Sequence, residues 1–73
     1  MSIKYDHRAS KRLRLASGLS MGDAARLSRL TERTIAYIEK GYSDPKATTL
    51  AKLAHAYGVS VEAFYALPRS KAV

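Results

Sequence analysis

Apolar residues recur at helical spacing in the first part of the chain. Ala9, Leu13 and Ala16 alternate with basic residues over positions 6–17, a pattern that predicts an amphipathic helix. Asp6 is suited to cap this helix, because its carboxylate can accept from the free amides of the first turn. Gly18 is suited to end it, since glycine tolerates the left-handed conformation that often follows a helix.

Two shorter helices are predicted next. Residues 20–23 form a helix-start signature, in which the Ser20 hydroxyl accepts from first-turn amides, and the apolar pattern then ends at Arg29. Thr31 starts the next helix, which carries Ile35 and Ile38 on one face. Two short helices joined by about three residues pack at a steep angle, which is the helix-turn-helix arrangement.

The last two predicted helices complete an all-α chain. Asp44 is a candidate cap for a fourth helix, with Pro45 at its first position and Gly58 at its end. A fifth helix is predicted over 61–67, capped by Ser60 and stopped by the following proline. No strand alternation is found. We therefore expect an N-terminal arm over residues 1–5, one helical domain over 6–67 with its helix-turn-helix at about 20–40, and a flexible basic tail over 68–73.

Composition narrows the classes of function. The 73 residues allow one small domain, and the absence of cysteine excludes disulfides and thiolate zinc sites. We find no apolar run of the roughly 20 residues that span a membrane, and no signal peptide. His7 and His55 are isolated, and no glycine-rich phosphate loop or pair of acidic residues suggests catalysis. We therefore expect a protein that is not an enzyme, that needs no cofactor or metal, and that acts in the cytoplasm.

Charge indicates a polyanionic partner. The net charge is +7, and the excess lies toward the two ends of the chain, whereas basic and acidic residues balance over 21–45. The charges are divided among several capped helices, which argues against a single basic helix lying on a membrane. Nucleic acid is the simplest polyanion that fits.

Short motifs occur together in an order that identifies a family. They are Gly18-Leu19-Ser20, Ala25, Thr31, Thr34-Ile35, Ile38-Glu39-Lys40-Gly41 and Gly58-Val59-Ser60. In combination they resemble the Cro/cI-type (XRE-like) helix-turn-helix regulators over about residues 8–67. The resemblance implies a compact, five-helix, lambda-repressor-like domain. It also implies a sequence-specific regulator of transcription, a repressor, that binds a pseudo-palindromic operator in double-stranded DNA as a nucleoid-associated homodimer.

The resemblance places the recognition helix at residues 31–40, in the major groove. If Ile35 and Ile38 face the core, the opposite face carries the candidate base-reading residues, which are Glu32, Arg33, Ala36 and Tyr37. Glu32 can accept from a cytosine amino group, and Arg33 can donate to guanine O6 and N7. Ala36 and Tyr37 can contact thymine methyl groups.

A second set of residues is expected to contact phosphates. Helix N-termini present free amides, and the family's loop after the recognition helix follows the DNA backbone. The candidates are Ser20, Met21, Thr31, Thr34, Lys40, Tyr42, Ser43, Lys46 and Arg12. Further electrostatic contacts are possible from Arg8, Lys11, Arg69 and Lys71.

The resemblance also implies a buried ion pair between Arg14 and Glu39 that orients the recognition helix. Three positions depart from the family pattern. Met21 stands where glutamine is usual, and Gly22 weakens the start of its helix. Arg29 stands where the turn usually has glycine, so either it adopts a positive φ at a cost of about 1–2 kcal/mol or the turn is altered.

The last helix leaves two alternatives open. Its apolar residues can complete the core of one monomer, or Val61, Tyr65 and Leu67 can pair with a second copy around the buried Phe64. A different class of function is also possible: a helix-turn-helix module that mainly binds another protein, as an antiactivator or an antitoxin does.

Overall fold

The computed structural model describes residues 4–66. Its helices are α1 (His7–Ala16), α2 (Met21–Ser28), α3 (Glu32–Glu39) and α4 (Ala47–Tyr57), followed by one 3-10 turn, Val61–Phe64. Strand β1 (Lys4–Tyr5) pairs antiparallel with β2 (Tyr65–Ala66). The all-α class is confirmed, with this two-residue pair as an addition. The predicted tail over 68–73 lies outside the described residues.

Side-chain caps begin the first three helices as predicted. The Asp6 carboxylate accepts from the Arg8 amide at the start of α1. Ser20 and Asp23 form a reciprocal capping box at the start of α2, and Thr31 accepts from the Thr34 amide at the start of α3. These local bonds satisfy amides that have no partner within their helices.

The predicted start of the fourth helix is wrong. Lys46, not Asp44, is the N-cap of α4, and it makes no side-chain capping bond. The first turn closes when the Leu50 amide donates to the Lys46 carbonyl oxygen at 2.9 Å. Asp44 and Pro45 therefore belong to the preceding loop. Gly58 ends the helix in the left-handed conformation, as predicted.

The predicted helix over 61–67 is shorter than expected. It is a single 3-10 turn, and Ser60 precedes it without a side-chain capping bond. The Phe64 carbonyl oxygen accepts from the Asp6 amide at 3.1 Å, and Tyr65 then pairs with Tyr5. Pairing with the N-terminal segment thus replaces the helical hydrogen bonds. Residues 4–5, which were assigned to the arm, form part of the fold.

The core lies between α2, α3 and α4 and is closed by the 3-10 turn. Ile35, Ile38, Leu53 and Phe64 are at most 1% exposed. On α2 the buried side chain Ala24 is small, so that its backbone can lie close to the core. No helix within residues 4–66 has the length and apolar character needed to cross a bilayer.

Candidate nucleic-acid interface

The α3 helix has two chemically different faces. Ile35 and Ile38 point into the core, whereas Glu32, Arg33 and Tyr37 are exposed. Among the described residues neither Glu32 nor Arg33 makes an ion pair or a side-chain hydrogen bond. Their donors and acceptors are thus available to a ligand. Ala36 is half-buried, so it presents less surface than the other predicted base-reading residues.

Aromatic contacts join α3 to the loop that follows it. The rings of Tyr37 and Tyr42 meet edge to face with centroids 5.7 Å apart. The Lys40 ammonium lies 5.9 Å from the centre of the Tyr42 ring, a distance at which a cation is attracted to the ring face. These residues form one continuous polar and aromatic surface beside the exposed face of α3.

The inner end of α3 is tied to α1 by an ion pair. Arg14 Nε donates to Glu39 Oε2 at 2.7 Å, and Nη2 donates to Oε1 at 3.2 Å. The two side chains are only 9% and 5% exposed. The bond to Glu39 raises the pKa of the Arg14 guanidinium. Arg14 Nη1 also donates to the Leu19 carbonyl oxygen at 3.0 Å, so one side chain joins α1, α3 and the loop before α2.

A polar cluster that the sequence analysis missed lies in the same interior. The hydroxyls of Tyr5, Ser10 and Tyr57 are buried without a hydrogen-bond partner among the described residues. Burial, with a smaller effect from the Glu39 carboxylate, raises the pKa of Tyr57 to about 12. Burial also raises the pKa of Tyr5. One signal was present in the sequence: Ser10 lies four residues before Arg14, on the same face of α1.

The predicted phosphate-contacting residues differ in their availability. Arg12, Lys40, Lys46, Tyr42 and Ser43 are exposed, and the three cations make no ion pair within residues 4–66.

The hydroxyls at the helix starts are already engaged. Ser20 and Thr31 act as caps, and Thr31 Oγ1 also donates to the half-buried Thr34 hydroxyl at 2.9 Å. Met21 is half-buried against the core. Of the further basic candidates, Arg8 pairs with Asp6 at 3.3 Å, and Arg69 and Lys71 lie outside the described residues.

The turn between α2 and α3 contains a left-handed residue that is not glycine. Arg29 has φ 61° and ψ 34°, and its amide donates to the Ala25 carbonyl oxygen. Of the two alternatives for Arg29, the structure has the positive φ, and no other residue except glycine has one within 4–66. The turn geometry is thus retained at some conformational cost.

The structure places the predicted dimer residues unequally. Val61 is 37% exposed, whereas Tyr65 is half-buried and meets the Tyr5 ring edge to face at 6.2 Å. Leu67 lies outside the described residues. Much of the Tyr65 ring is therefore occupied within one monomer. Residues 4–66 contain no group of three acidic, histidine or cysteine side chains able to hold a metal.

Comparison with known proteins agrees with this geometry. A family model described as helix-turn-helix matches residues 11–64. The transcriptional regulator PuuR of Escherichia coli (strain K12) is 41% identical over 56 residues, which cover 77% of this chain and 30% of PuuR. The chain thus spans less than a third of the length of this curated relative.

Two crystal structures have similar folds. The restriction-modification controller protein C.AhdI from Aeromonas hydrophila superposes with a TM-score of 0.76 at 28% identity, covering 80% of this chain and 88% of that one. An HTH_3 family transcriptional regulator from Vibrio cholerae gives a TM-score of 0.75 at 34% identity, covering 80% of this chain and 33% of that one.

Proposed function

Because this chain belongs to the XRE-like helix-turn-helix family of DNA-binding transcriptional regulators, we propose that it represses transcription by reading an operator with α3 in the major groove. The observation that carries this proposal is the division of α3 into a buried face and an exposed face. Arg33 and Glu32 are exposed there and make no ion pair or side-chain hydrogen bond within residues 4–66, and they suit guanine and cytosine edges respectively.

The surrounding residues supply the proposed backbone contacts. The exposed cations Arg12, Lys40 and Lys46 and the exposed Tyr42 and Ser43 are proposed to contact phosphates. The hydroxyls of Ser20 and Thr31 act as caps, and that of Thr34 accepts from Thr31. At these two helix starts we therefore propose that backbone amides, including that of Met21, contact the phosphates. The buried Arg14–Glu39 pair is proposed to hold α3 in its orientation.

We further propose a homodimer. The exposed Val61, together with Leu67 and the remaining exposed part of Tyr65, is proposed to pair with a second copy around a twofold axis. Two recognition helices would then enter half-sites about one helical turn apart, roughly 34–36 Å. A regulator that acts on the chromosome is expected in the cytoplasm, associated with the nucleoid.

Selection from a pool of random duplexes, with light scattering during size-exclusion chromatography, tests this proposal. We expect enrichment of a symmetric site and a complex of two chains on one duplex. Enrichment of an asymmetric site, bound by a single chain, would contradict the dimer. A failure to enrich any sequence would contradict sequence-specific reading. If the chain enriches no sequence but forms a stable complex with another protein, that result would favour the protein-binding alternative.

A further inference from the structure

Gly22 lies on α2 where the backbone does not require glycine. Its backbone is helical, so alanine could adopt the same conformation and would favour the helix. The space beside it, however, is occupied. A Cβ atom built on Gly22 would lie 3.2 Å from Glu32 Oε2, closer than ordinary van der Waals contact. The Glu32 carboxylate therefore lies beside the space that a side chain at position 22 would fill.

The next nearest side-chain atom to this place is Ser20 Oγ, at 3.9 Å from the built Cβ atom. Ser20 and Asp23 are engaged with each other in the capping box, and the Met21 side chain packs against the core. The first turn of α2 carries a partial positive charge, which favours a carboxylate at this distance. Glu32 thus lies against α2 at a glycine, with no side-chain hydrogen bond of its own.

We infer that Gly22 is a positioning residue that determines how Glu32 meets a base. This inference rests on the proposed reading of DNA by α3. With glycine at position 22 the carboxylate can lie close to the α2 backbone, beside the exposed face of α3. With a methyl group there the carboxylate must move by several tenths of an ångström or change rotamer, and a base contact depends on such angles.

A double-mutant cycle between Gly22→Ala and Glu32→Ala tests the inference. Duplexes carrying each base pair at each operator position are titrated, and Glu32→Ala identifies the pair that Glu32 reads. We expect Gly22→Ala to lower the preference at that pair by about fivefold, the lower range for losing one base contact. The double variant should match Glu32→Ala.

Thermal unfolding separates this role from a structural one. Gly22→Ala should raise Tm by about 2–5 °C, because alanine favours the helix and the displaced group is the end of an exposed side chain. Leu27→Ala is the matched control, since Leu27 is an exposed α2 residue outside this contact, and it should leave the preference unchanged.

Three results would overturn the inference. The first is an unchanged base preference in Gly22→Ala. The second is a further loss of preference when Gly22→Ala is added to Glu32→Ala, as large as the loss that Gly22→Ala causes alone. The third is a uniform loss of affinity on all duplexes. Failure of the proposed function gives a different result, because the unaltered protein would then show no base preference at any position.

Discussion

The two faces of α3 differ in the burial and hydrogen bonding of their acidic residues. On the inner face the Glu39 carboxylate is 5% exposed and accepts two hydrogen bonds from Arg14. On the outer face Glu32, also a carboxylate on the same helix, is exposed and accepts none within the described residues. The first is paired with Arg14 of α1, and the second lies close to Gly22 of α2. Position on the helix, more than residue type, separates a structural acid from a candidate recognition acid.

This difference separates the residues of α3 that stabilise the fold from those that are exposed to a ligand. The buried pair joins three segments of the chain, so its loss would disturb the whole arrangement. On the outer face neither Glu32 nor Arg33 makes an ion pair or a side-chain hydrogen bond within residues 4–66. Substitutions there are expected to change what is read and leave stability nearly unchanged. The following predictions test this separation.

Glu39→Ala should have the largest effect on stability. It leaves the Arg14 guanidinium buried without its partner, which is expected to lower the free energy of unfolding by about 3–5 kcal/mol. Chemical denaturation followed by circular dichroism measures this loss. The matched control replaces both partners, Arg14→Met with Glu39→Leu, and should be nearly neutral. A loss of less than about 1 kcal/mol in Glu39→Ala would contradict the importance of the inner face.

Alkaline pH should lower the free energy of unfolding, because the buried Tyr57 at the end of α4 ionises there. Its pKa is raised from 10 to about 12 in the folded protein, so folding favours the protonated phenol. The resulting stability is fully present below pH 10 and is lost as pH rises through 12, by an amount on the order of 2 kcal/mol.

The control is Tyr57→Phe, which cannot ionise. The difference in unfolding free energy between this variant and the unaltered protein should grow between pH 10 and 12. A constant difference over that range would show that Tyr57 ionisation does not destabilise the fold.

Arg33→Ala should lower the discrimination between bases at one operator position without unfolding the protein. If Arg33 donates to a guanine, its loss costs about 1–3 kcal/mol of discrimination at one base pair. Binding isotherms on single-substitution duplexes, together with Tm, give both quantities. Arg12→Ala is the comparison, because the loss of a phosphate contact should reduce the salt dependence of binding on every sequence equally. A uniform loss in Arg33→Ala would assign Arg33 to the backbone instead.

Arg29→Gly should have the smallest effect, and a stabilising one. Glycine removes the strain of the left-handed conformation, about 1–2 kcal/mol, but adds freedom to the unfolded chain. We expect a net gain of about 0.5–1 kcal/mol, seen as a higher urea midpoint with an unchanged slope. A lower midpoint would mean that the Arg29 side chain makes contacts worth more than the strain.

Much of this protein could be predicted from short-range patterns. Caps at Asp6, Ser20 and Thr31 depend on atoms within three residues, and the faces of α3 follow from helical periodicity around Ile35 and Ile38. The left-handed turn residue could be foreseen only through the resemblance, because the family usually has glycine at the position of Arg29. The partnership of Arg14 with Glu39 was available only through resemblance to a family, since 25 residues separate them.

Other features depend on contacts between distant segments. The chain from Phe64 onward is extended because Asp6 and Tyr5, about 60 positions earlier, supply its hydrogen bonds. Likewise, α4 begins later than its proline suggests, and the hydroxyls of Ser10 and Tyr57 become buried only once the helices have packed. Sequence alone determined the caps of α1, α2 and α3, the end of α4 and the polarity of α3, because those depend on neighbours along the chain. Tertiary structure decided how the chain ends pair and where the Glu32 carboxylate rests, because those depend on which surfaces the packed helices bring together.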